Sequence, residues 1–305
     1  MNYLITGGTG LIGKALIKTL IEQKSMITVL TRDINKAQKS LPNTVNFIDE
    51  LSLADIENCD VVINLAGEAI ADKRWTSKQK NKICQSRWKI TTTIVKLIKQ
   101  AKNPPSLLIS GSAIGFYGRQ TNRESQYQAI DETFTKVRKE FTHDVCQQWE
   151  EIATQAVSAK TRVALLRTGI VLADIDQGGA LAKMYLPFKL GVGGKVSTGE
   201  QIMSWIHIED MVNAIVFIIK NSEIDGAINM TAPMPVSNAV FSQTLARQLH
   251  RPCVFTTPAW VFKLLLGEMS DLLVYGQKVV PEKLLTAGFV FQHKTIEEAL
   301  ENLIN

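Results

Sequence analysis

The chain has 305 residues, of which 45% are hydrophobic and 21% charged, and a formal net charge of +5. That length suits about two domains or one large one, and the apolar share excludes a disordered or fibrous chain. So small a positive surplus, with no recognised motif, argues against a nucleic-acid partner. Four scattered cysteines, Cys59, Cys84, Cys146 and Cys253, have neither metal-ligand nor redox spacing. They read as free thiols in a reducing cytosol. An apolar strand opens the chain with no basic segment ahead of it, so no signal peptide is expected. Residues 259–275 are the longest apolar stretch, broken by Lys263, Glu268 and Asp271. This is shorter than the ~20 residues a membrane span needs, and it reads as a buried or interfacial helix. The expectation is a cytoplasmic protein with no membrane, nucleic-acid or metal partner.

In chain order, residues 3–6 (Tyr-Leu-Ile-Thr) are a short run of buried-strand type. Leu11, Ile12, Ala15, Leu16 and Leu20 then recur at helical spacing up to residue 23. Between them lies Gly7-Gly8-Thr9-Gly10-Leu11-Ile12-Gly13, a Gly-x-x-Gly-x-x-Gly turn. Strand, glycine turn and helix are the context of a dinucleotide-phosphate loop. Gly7 permits the tight turn, Gly10 admits the pyrophosphate and Gly13 lets the helix pack on the strand. The free N–H groups and positive dipole end of the helix suit phosphate. A tight turn with no ligand is the plain alternative.

Residues 26–31 read as the second strand, ending in Thr31-Arg32-Asp33. An acidic residue there would accept from the adenosine ribose 2′-OH and favour NAD, whereas an arginine suits a 2′-phosphate. Arg32 therefore argues for NADP(H), unless it is simply a surface arginine; Asp33 is expected to point away. Residues 45–48 and 60–65 are the third and fourth strands. The fourth runs into Asn64-Leu65-Ala66-Gly67, small residues that leave room for a cofactor across the strand end. Residues 78–102 read as a long helix stopped by Pro104-Pro105. Residues 73–89 hold seven basic side chains (Lys73, Arg74, Lys78, Lys80, Lys82, Arg87, Lys89) and no acidic one. They form either a solvated face or a positive rim for an anionic ligand.

Residues 107–110 are strand five, leading into Gly111-Ser112-Ala113-Ile114-Gly115-Phe116-Tyr117-Gly118. Residues 119–131 read as a polar loop over a cleft, 135–156 as a helix, and 162–166 as strand six, followed by Arg167-Thr168-Gly169-Ile170-Val171-Leu172. The alternation implies an α/β fold, a Rossmann-type doubly wound parallel sheet. Residues 174–201 are glycine-rich and read as a loop system. Residues 204–210 enter a helix that runs to residue 220, with Asp210 as its cap, and Gly226–Met230 is a strand. Later come helices near 238–249 and after Thr295, where Thr295-x-x-Glu298 is a capping-box pattern. The division expected is 1–172, with 202–230 returning to it, as the NADP-binding Rossmann part. Residues 173–201 and 231–305 make a smaller mixed C-terminal substrate region.

The glycine turn, Asn64-Leu65-Ala66-Gly67, the Ser-Ala…Tyr-Gly after strand five and His207-x-x-Asp210 resemble an extended short-chain dehydrogenase/reductase. Further matches are Arg74-Trp75, Ser86-Arg87, Trp149-Glu150, residues 187–194, residues 275–281 and Gly288-Phe289. Together they are similar to the YfcH-like branch, labelled nucleoside-diphosphate sugar epimerase, with its small C-terminal domain. The resemblance covers nearly the whole chain. It implies a Rossmann fold, NADP(H) binding and a cleft for a small-molecule substrate. The cofactor contacts it implies are Gly7, Thr9, Gly10, Leu11, Ile12, Gly13, Thr31, Arg32, Leu65, Ala66, Gly67, Arg87 and Val171.

The chemistry is less regular. That superfamily uses a tyrosine and a lysine four residues later for proton transfer, with a serine after strand five on the substrate oxygen. Ser112 fits the serine. The tyrosine and lysine positions hold Cys146 and Glu150, and a carboxylate beside a thiol raises its pKa. Tyr127 is followed by Asp131 rather than lysine. Tyr117 reads as a pocket wall and also as the best spare proton donor. His207 reads as a hydrogen-bonded structural histidine. Three functions follow: an NADP(H)-dependent oxidoreductase or epimerase-like enzyme on a small polar, possibly anionic substrate; a catalytically weak NADP(H)-binding regulatory or sensor protein; or a conventional nucleotide-sugar epimerase.

Overall fold

The computed structural model describes residues 1–121, 124 and 128–304; Tyr127 and part of the 119–131 loop lie outside them. The first half alternates as expected: β1 (Asn2–Thr6), α1 (Leu11–Glu22), β2 (Met26–Leu30), α2 (Ile34–Gln38), β3 (Asn46–Ile48), α3 (Leu53–Glu57), β4 (Val61–Asn64) and α4 (Ser77–Gln100). Next come β5 (Leu107–Ala113), α5 (Phe141–Thr154), β6 (Arg162–Thr168), β7 (Ile170–Leu172), α6 (Gly179–Lys189), β8 (Gly194–Val196), β9 (Ile202–Met203), β10 (Trp205–His207), α7 (Ile208–Lys220) and β11 (Gly226–Met230). Seven of these strands form one sheet in the order β11-β6-β5-β4-β1-β2-β3. All its pairs are parallel.

Both faces are covered because successive side chains of each strand point to opposite sides. Tyr3 and Ile5, Val61 and Ile63, Leu107 and Ile109 join Leu16, Ile17 and Leu20 of α1 and Met211, Ile215 and Ile218 of α7. Their neighbours Leu4, Val62 and Leu108 join Ile94 and Ile98 of α4 and Ala153 of α5 on the other face. The reversal of strand order between β1 and β4 opens a crevice at their carboxyl ends, where ligands of doubly wound folds sit.

Four readings need correction. Residues 174–201 are not all loop, because α6 lies within them, hidden behind the flanking glycines and an internal Pro187. The helix expected at 135–156 begins at Phe141, because Arg138 N–H is drawn onto the Tyr117 carbonyl at 3.0 Å and holds the chain irregular. Asp210 does not cap α7; His207 does, its side chain accepting from Glu209 N–H. The 259–275 stretch is not one buried helix. It is Ala259–Leu266, with no buried residue, then a break at Gly267; Trp260, Leu264 and Leu265 are exposed. Among the described residues no helix is long and apolar enough to cross a membrane.

The smaller C-terminal region has its own core, with Phe188, Trp205, Phe241, Leu245, Ile296 and Leu300 among its members. It is tied to the sheet by buried polar contacts. Asp210, fully buried, accepts from Gln292 N–H at 2.8 Å and His293 N–H at 2.9 Å. Ser204 Oγ donates to the Gln277 carbonyl at 2.7 Å and accepts from Val279 N–H at 2.9 Å. The His207 and His293 rings stack with centroids 3.7 Å apart. The Thr295/Glu298 capping pattern forms: Glu298 N–H donates to Thr295 Oγ1 at 3.3 Å and Thr295 N–H to Glu298 Oε2 at 3.1 Å.

The histidine clamp makes stability depend on pH. Burial, and secondarily His293, push His207 down from 6.5 to about 4. Above 6.5 both folded and unfolded chains are neutral there. As pH falls from 6.5 towards 4, only the unfolded chain takes up the proton, so stability falls by about 3 kcal/mol. Urea unfolding across that window should show this slope, and His207→Gln should flatten it.

Candidate functional site

The glycine turn sits at the carboxyl end of β1. Gly7 has φ +72°, and a Cβ there would lie 2.6 Å from the Leu65 carbonyl carbon; a Cβ at Gly13 would lie 2.4 Å from the Gly7 carbonyl oxygen. Only glycine allows the turn to press against the β4 exit and against α1. α1 begins after Gly10 with no side-chain cap and no acidic residue in its first turn. Its first N–H groups are therefore left for a ligand, and the charge there favours an anion. Thr9 and Gly10 are exposed, and Leu11 and Ile12 are half-buried.

At the end of β2, Arg32 is exposed, with no hydrogen bond or ion pair among the described residues. Asp33 is committed locally: it caps α2, accepting from Lys36 N–H at 2.9 Å. Thr31 Oγ1 accepts from Asp33 N–H at 3.3 Å and shapes the same corner. At the β4 exit, Leu65 N–H donates to the Thr6 carbonyl at 3.1 Å and Ala66 N–H to Thr6 Oγ1 at 3.3 Å. Gly67 faces the Arg87 guanidinium, which a Cβ would touch at 2.9 Å. Arg87 Nη1 donates to the Glu68 and Ile83 carbonyls, both at 3.0 Å. Its Nε and Nη2 have no hydrogen-bond partner among the described residues. Val171 is half-buried in β7, which leaves the sheet after β6.

The basic run is less positive than its composition. Lys80 pairs with Glu268 at 2.6 Å and Lys82 with Glu68 at 2.9 Å, while Arg87 is held by backbone carbonyls. Lys73, Arg74, Lys78 and Lys89 remain exposed without an ion pair among the described residues.

Beyond β5 lies a buried polar cluster of which sequence reasoning found only part. Ser112 Oγ donates to Glu150 Oε1 at 2.6 Å. Arg167, at the end of β6, grips the same carboxylate with two donors, Nε to Oε1 at 2.9 Å and Nη2 to Oε2 at 2.8 Å. Its Nη1 donates to Tyr117 Oη at 3.0 Å, and Tyr117 Oη donates to Asn229 Oδ1 at 2.7 Å. The guanidinium lies 3.6 Å from the Phe116 ring centroid. Arg167 and Asn229 were missed. The available signal was an arginine ending the otherwise apolar run Val163-Ala164-Leu165-Leu166, since a charge on a buried strand needs a partner.

This geometry qualifies the two candidate catalytic groups. Tyr117 is buried, both sides of its hydroxyl are used, and burial pushes it up to about 12. It is a wall residue with no proton to spare near neutrality. Cys146, which the sequence reading set in the tyrosine's place, is pushed up to about 12 by burial and then by Glu150. Ser112 is buried, with its proton already donated to Glu150.

Among the described residues one group has metal-ligand composition: His207, Glu209 and His293 offer atoms within 4.8 Å of one another. Yet the two rings stack at 28°, so their lone pairs run side by side rather than converging. His207 Nδ1 already accepts from Glu209 N–H at 3.1 Å, and its Nε2 faces Asn302 Oδ1 at the same distance. The trio is a clamp between α7 and the C-terminal segment.

Comparison with known proteins places this geometry in context. The NAD dependent epimerase/dehydratase family profile matches residues 3–230, and a domain of unknown function (DUF1731) matches 257–303. An epimerase family protein of Staphylococcus aureus (strain MRSA252) is 38% identical over 305 residues, with 100% of this chain and 99% of that protein covered. One from Staphylococcus haemolyticus (strain JCSC1435) is 39% identical over 304 residues, covering 100% and 99%. The solved structure of human epimerase family protein SDR39U1 (isoform 2) with NADPH is similar at TM-score 0.87 and 28% identity, covering 100% of this chain and 99% of that one. The nucleoside-diphosphate sugar epimerase of Corynebacterium glutamicum aligns at TM-score 0.78 and 26% identity, covering 100% of this chain and 58% of that one.

Removing Arg167 would leave the Glu150 carboxylate buried and uncompensated. Arg167→Met should cost about 3–5 kcal/mol, whereas Tyr117→Phe, which keeps the pair, should cost about 1–2 kcal/mol. Urea denaturation midpoints of the two variants check the difference.

Proposed function

The chain belongs to the NAD dependent epimerase/dehydratase family, and we propose that within it this protein is an NADP(H)-binding oxidoreductase of the extended short-chain dehydrogenase/reductase type. Its substrate is a small polar molecule at the carboxyl edge of the sheet. The observation that carries the cofactor choice is the corner after β2. Arg32 is exposed and unpaired among the described residues, and the neighbouring carboxylate is consumed as a helix cap. A guanidinium there suits a 2′-phosphate, and no acidic side chain competes for a ribose 2′-OH. The similar human protein is described with NADPH.

The residues fit such a group. The Gly7–Gly13 turn has no room for side chains where backbone meets β4 and α1, and the uncapped start of α1 receives the pyrophosphate. Thr31 and Arg32 hold the adenosine end. Leu65, Ala66 and Gly67 give it room at the β4 exit. Arg87, whose Nε and Nη2 face Gly67, would offer those two donors to phosphate or ribose, and Val171 would border the cofactor. When bound, the nicotinamide supplies or accepts hydride. Ser112 is the group of this chain that meets the substrate.

A conventional nucleotide-sugar epimerase is not supported, because Cys146 and Glu150 stand where the proton-transferring pair is needed. A second reading has a specific observation behind it: an NADP(H)-binding sensor with little turnover. Tyr117 and Cys146 are both pushed to about 12, leaving neither as a ready proton donor.

Fluorescence titration with NADPH and NADH tests the cofactor assignment. Wild type should prefer NADPH. Arg32→Ala should weaken NADPH binding about 10- to 100-fold, as expected for loss of a charge-assisted contact, and leave NADH unchanged. An unaltered preference would show that Arg32 does not read the 2′-phosphate. NADPH binding without hydride transfer to any of a broad carbonyl panel would favour the sensor.

A further inference from the structure

The buried cluster beyond β5 has a fixed direction. Arginine has five donors and no acceptor. Arg167 therefore forces Glu150 and Tyr117 to accept, and Tyr117 must pass its own proton on to Asn229 Oδ1. The Asn229 amide cannot be reversed, because its Nδ2 donates to the Val280 carbonyl at 2.9 Å. On the other side, the Arg167-bound carboxylate is an acceptor, so the single Ser112 proton points at Glu150 at 2.6 Å. The Cys146 thiol also lies against Ser112; it is a weak donor that burial keeps protonated. Ser112 Oγ thus has lone pairs to offer and no proton.

The geometry points to Ser112 as an acceptor that takes a hydrogen bond from a ligand hydroxyl, so that the site selects the alcohol member of an alcohol–carbonyl pair. This deepens the oxidoreductase reading and rests on it for the ligand class. A carbonyl oxygen placed against Ser112 would face lone pairs on both sides, which is repulsive in a closed site. An alcohol would donate and complete the chain. Glu150 and Arg167 are positioning residues that act through Ser112. Glu150 stands where the superfamily's lysine is expected, and, held by Arg167 from β6, it reverses the polarity of the serine.

The test uses cyclohexanol and cyclohexanone, which are nearly equal in size, on 15N-labelled full-length protein. Cyclohexanol is titrated into the NADPH complex and cyclohexanone into the NADP+ complex, so that neither pair can exchange hydride. Both are also titrated into cofactor-free protein. The readout is the shift of the Gly111, Ala113 and Cys146 amide resonances, which needs no turnover. Cyclohexanol should bind about tenfold more tightly than cyclohexanone, in line with one hydrogen bond. Ser112→Ala should remove the preference and Ser112→Thr should keep it. The double variant Glu150→Leu with Arg167→Met removes the acceptor without leaving an unpaired buried charge, so the Ser112 proton is freed and the preference should shift towards the ketone. Equal binding, a ketone preference in wild type, no perturbation by either compound, or a preference that survives Ser112→Ala each overturns the inference. Fluorescence on the same samples reports NADPH binding separately. Binding without alcohol preference sinks this inference alone; absent NADPH binding sinks the cofactor reading, while the cofactor-free titration still judges Ser112.

Discussion

A guanidinium that can only donate sits between the sheet and the segments that cover its carboxyl edge. Arg167 ends β6, stacks on Phe116, holds Glu150 of α5 with two bonds and reaches Tyr117 with a third. Four stretches of chain therefore depend on one buried cation: the end of β5, the turn after it, α5 and, through Asn229, β11. Burying charge is expensive unless every donor and acceptor is used, and a half-satisfied network is worse than an apolar one. Here the network closes onto backbone. Asn229 Nδ2 reaches the Val280 carbonyl, and Asn229 N–H reaches Glu132 Oε1 at 2.8 Å.

The same logic fastens the C-terminal region. Residues 275–281 have few apolar anchors, yet Gln120 bridges to Gly276 and Ile130 to Val279. Lys278 N–H donates to Gln120 Oε1 at 2.8 Å. Ser204, Asp210 and Thr231, all buried, spend their side chains on this segment's backbone or on that of 292–293. Buried backbone groups outside regular structure must find partners, and here the partners come from Ser204 and Thr231 beside the strands and from Asp210 in the first turn of α7. The C-terminal region is thereby registered to the crevice by direction-dependent bonds as well as by apolar contact.

The elements legible in the sequence are those whose signal is local. Gly7, Gly10 and Gly13 announce a turn by lacking side chains, and the spacing of Leu16 and Leu20 announces the helix after it. Arg32 reads as suited to a phosphate, while Asp33, expected only to point away, turns out to be spent as the cap of α2. What stayed hidden depends on distance. Asp210 has the composition of a cap, and nothing near it in sequence says that its carboxylate turns to Gln292 and His293. Glu150 and Arg167 are 17 positions apart on a helix and a strand, and only the crossover that lays α5 against β5 and β6 makes them a pair. The helix at Gly179–Lys189 was masked by glycines and Pro187, which weigh against helix locally but are outvoted by burial of Leu181 and Phe188.

Cys146 and Glu150 look, residue by residue, like the loss of a catalytic pair. In three dimensions the substitution is coherent. A carboxylate in the lysine's place would be intolerable unpaired, and Arg167 arrives from the adjacent strand to neutralise it. The thiol in the tyrosine's place is small enough to sit buried beside Ser112, and Trp149 packs its ring onto Gly111, where a Cβ would lie 2.7 Å from Cη2. A decayed site would be expected to show orphaned polar groups. Among the described residues this one leaves neither Glu150, Arg167 nor Tyr117 without partners. The network is closed and directed, each buried charge and hydroxyl meeting a partner of the opposite hydrogen-bonding sense.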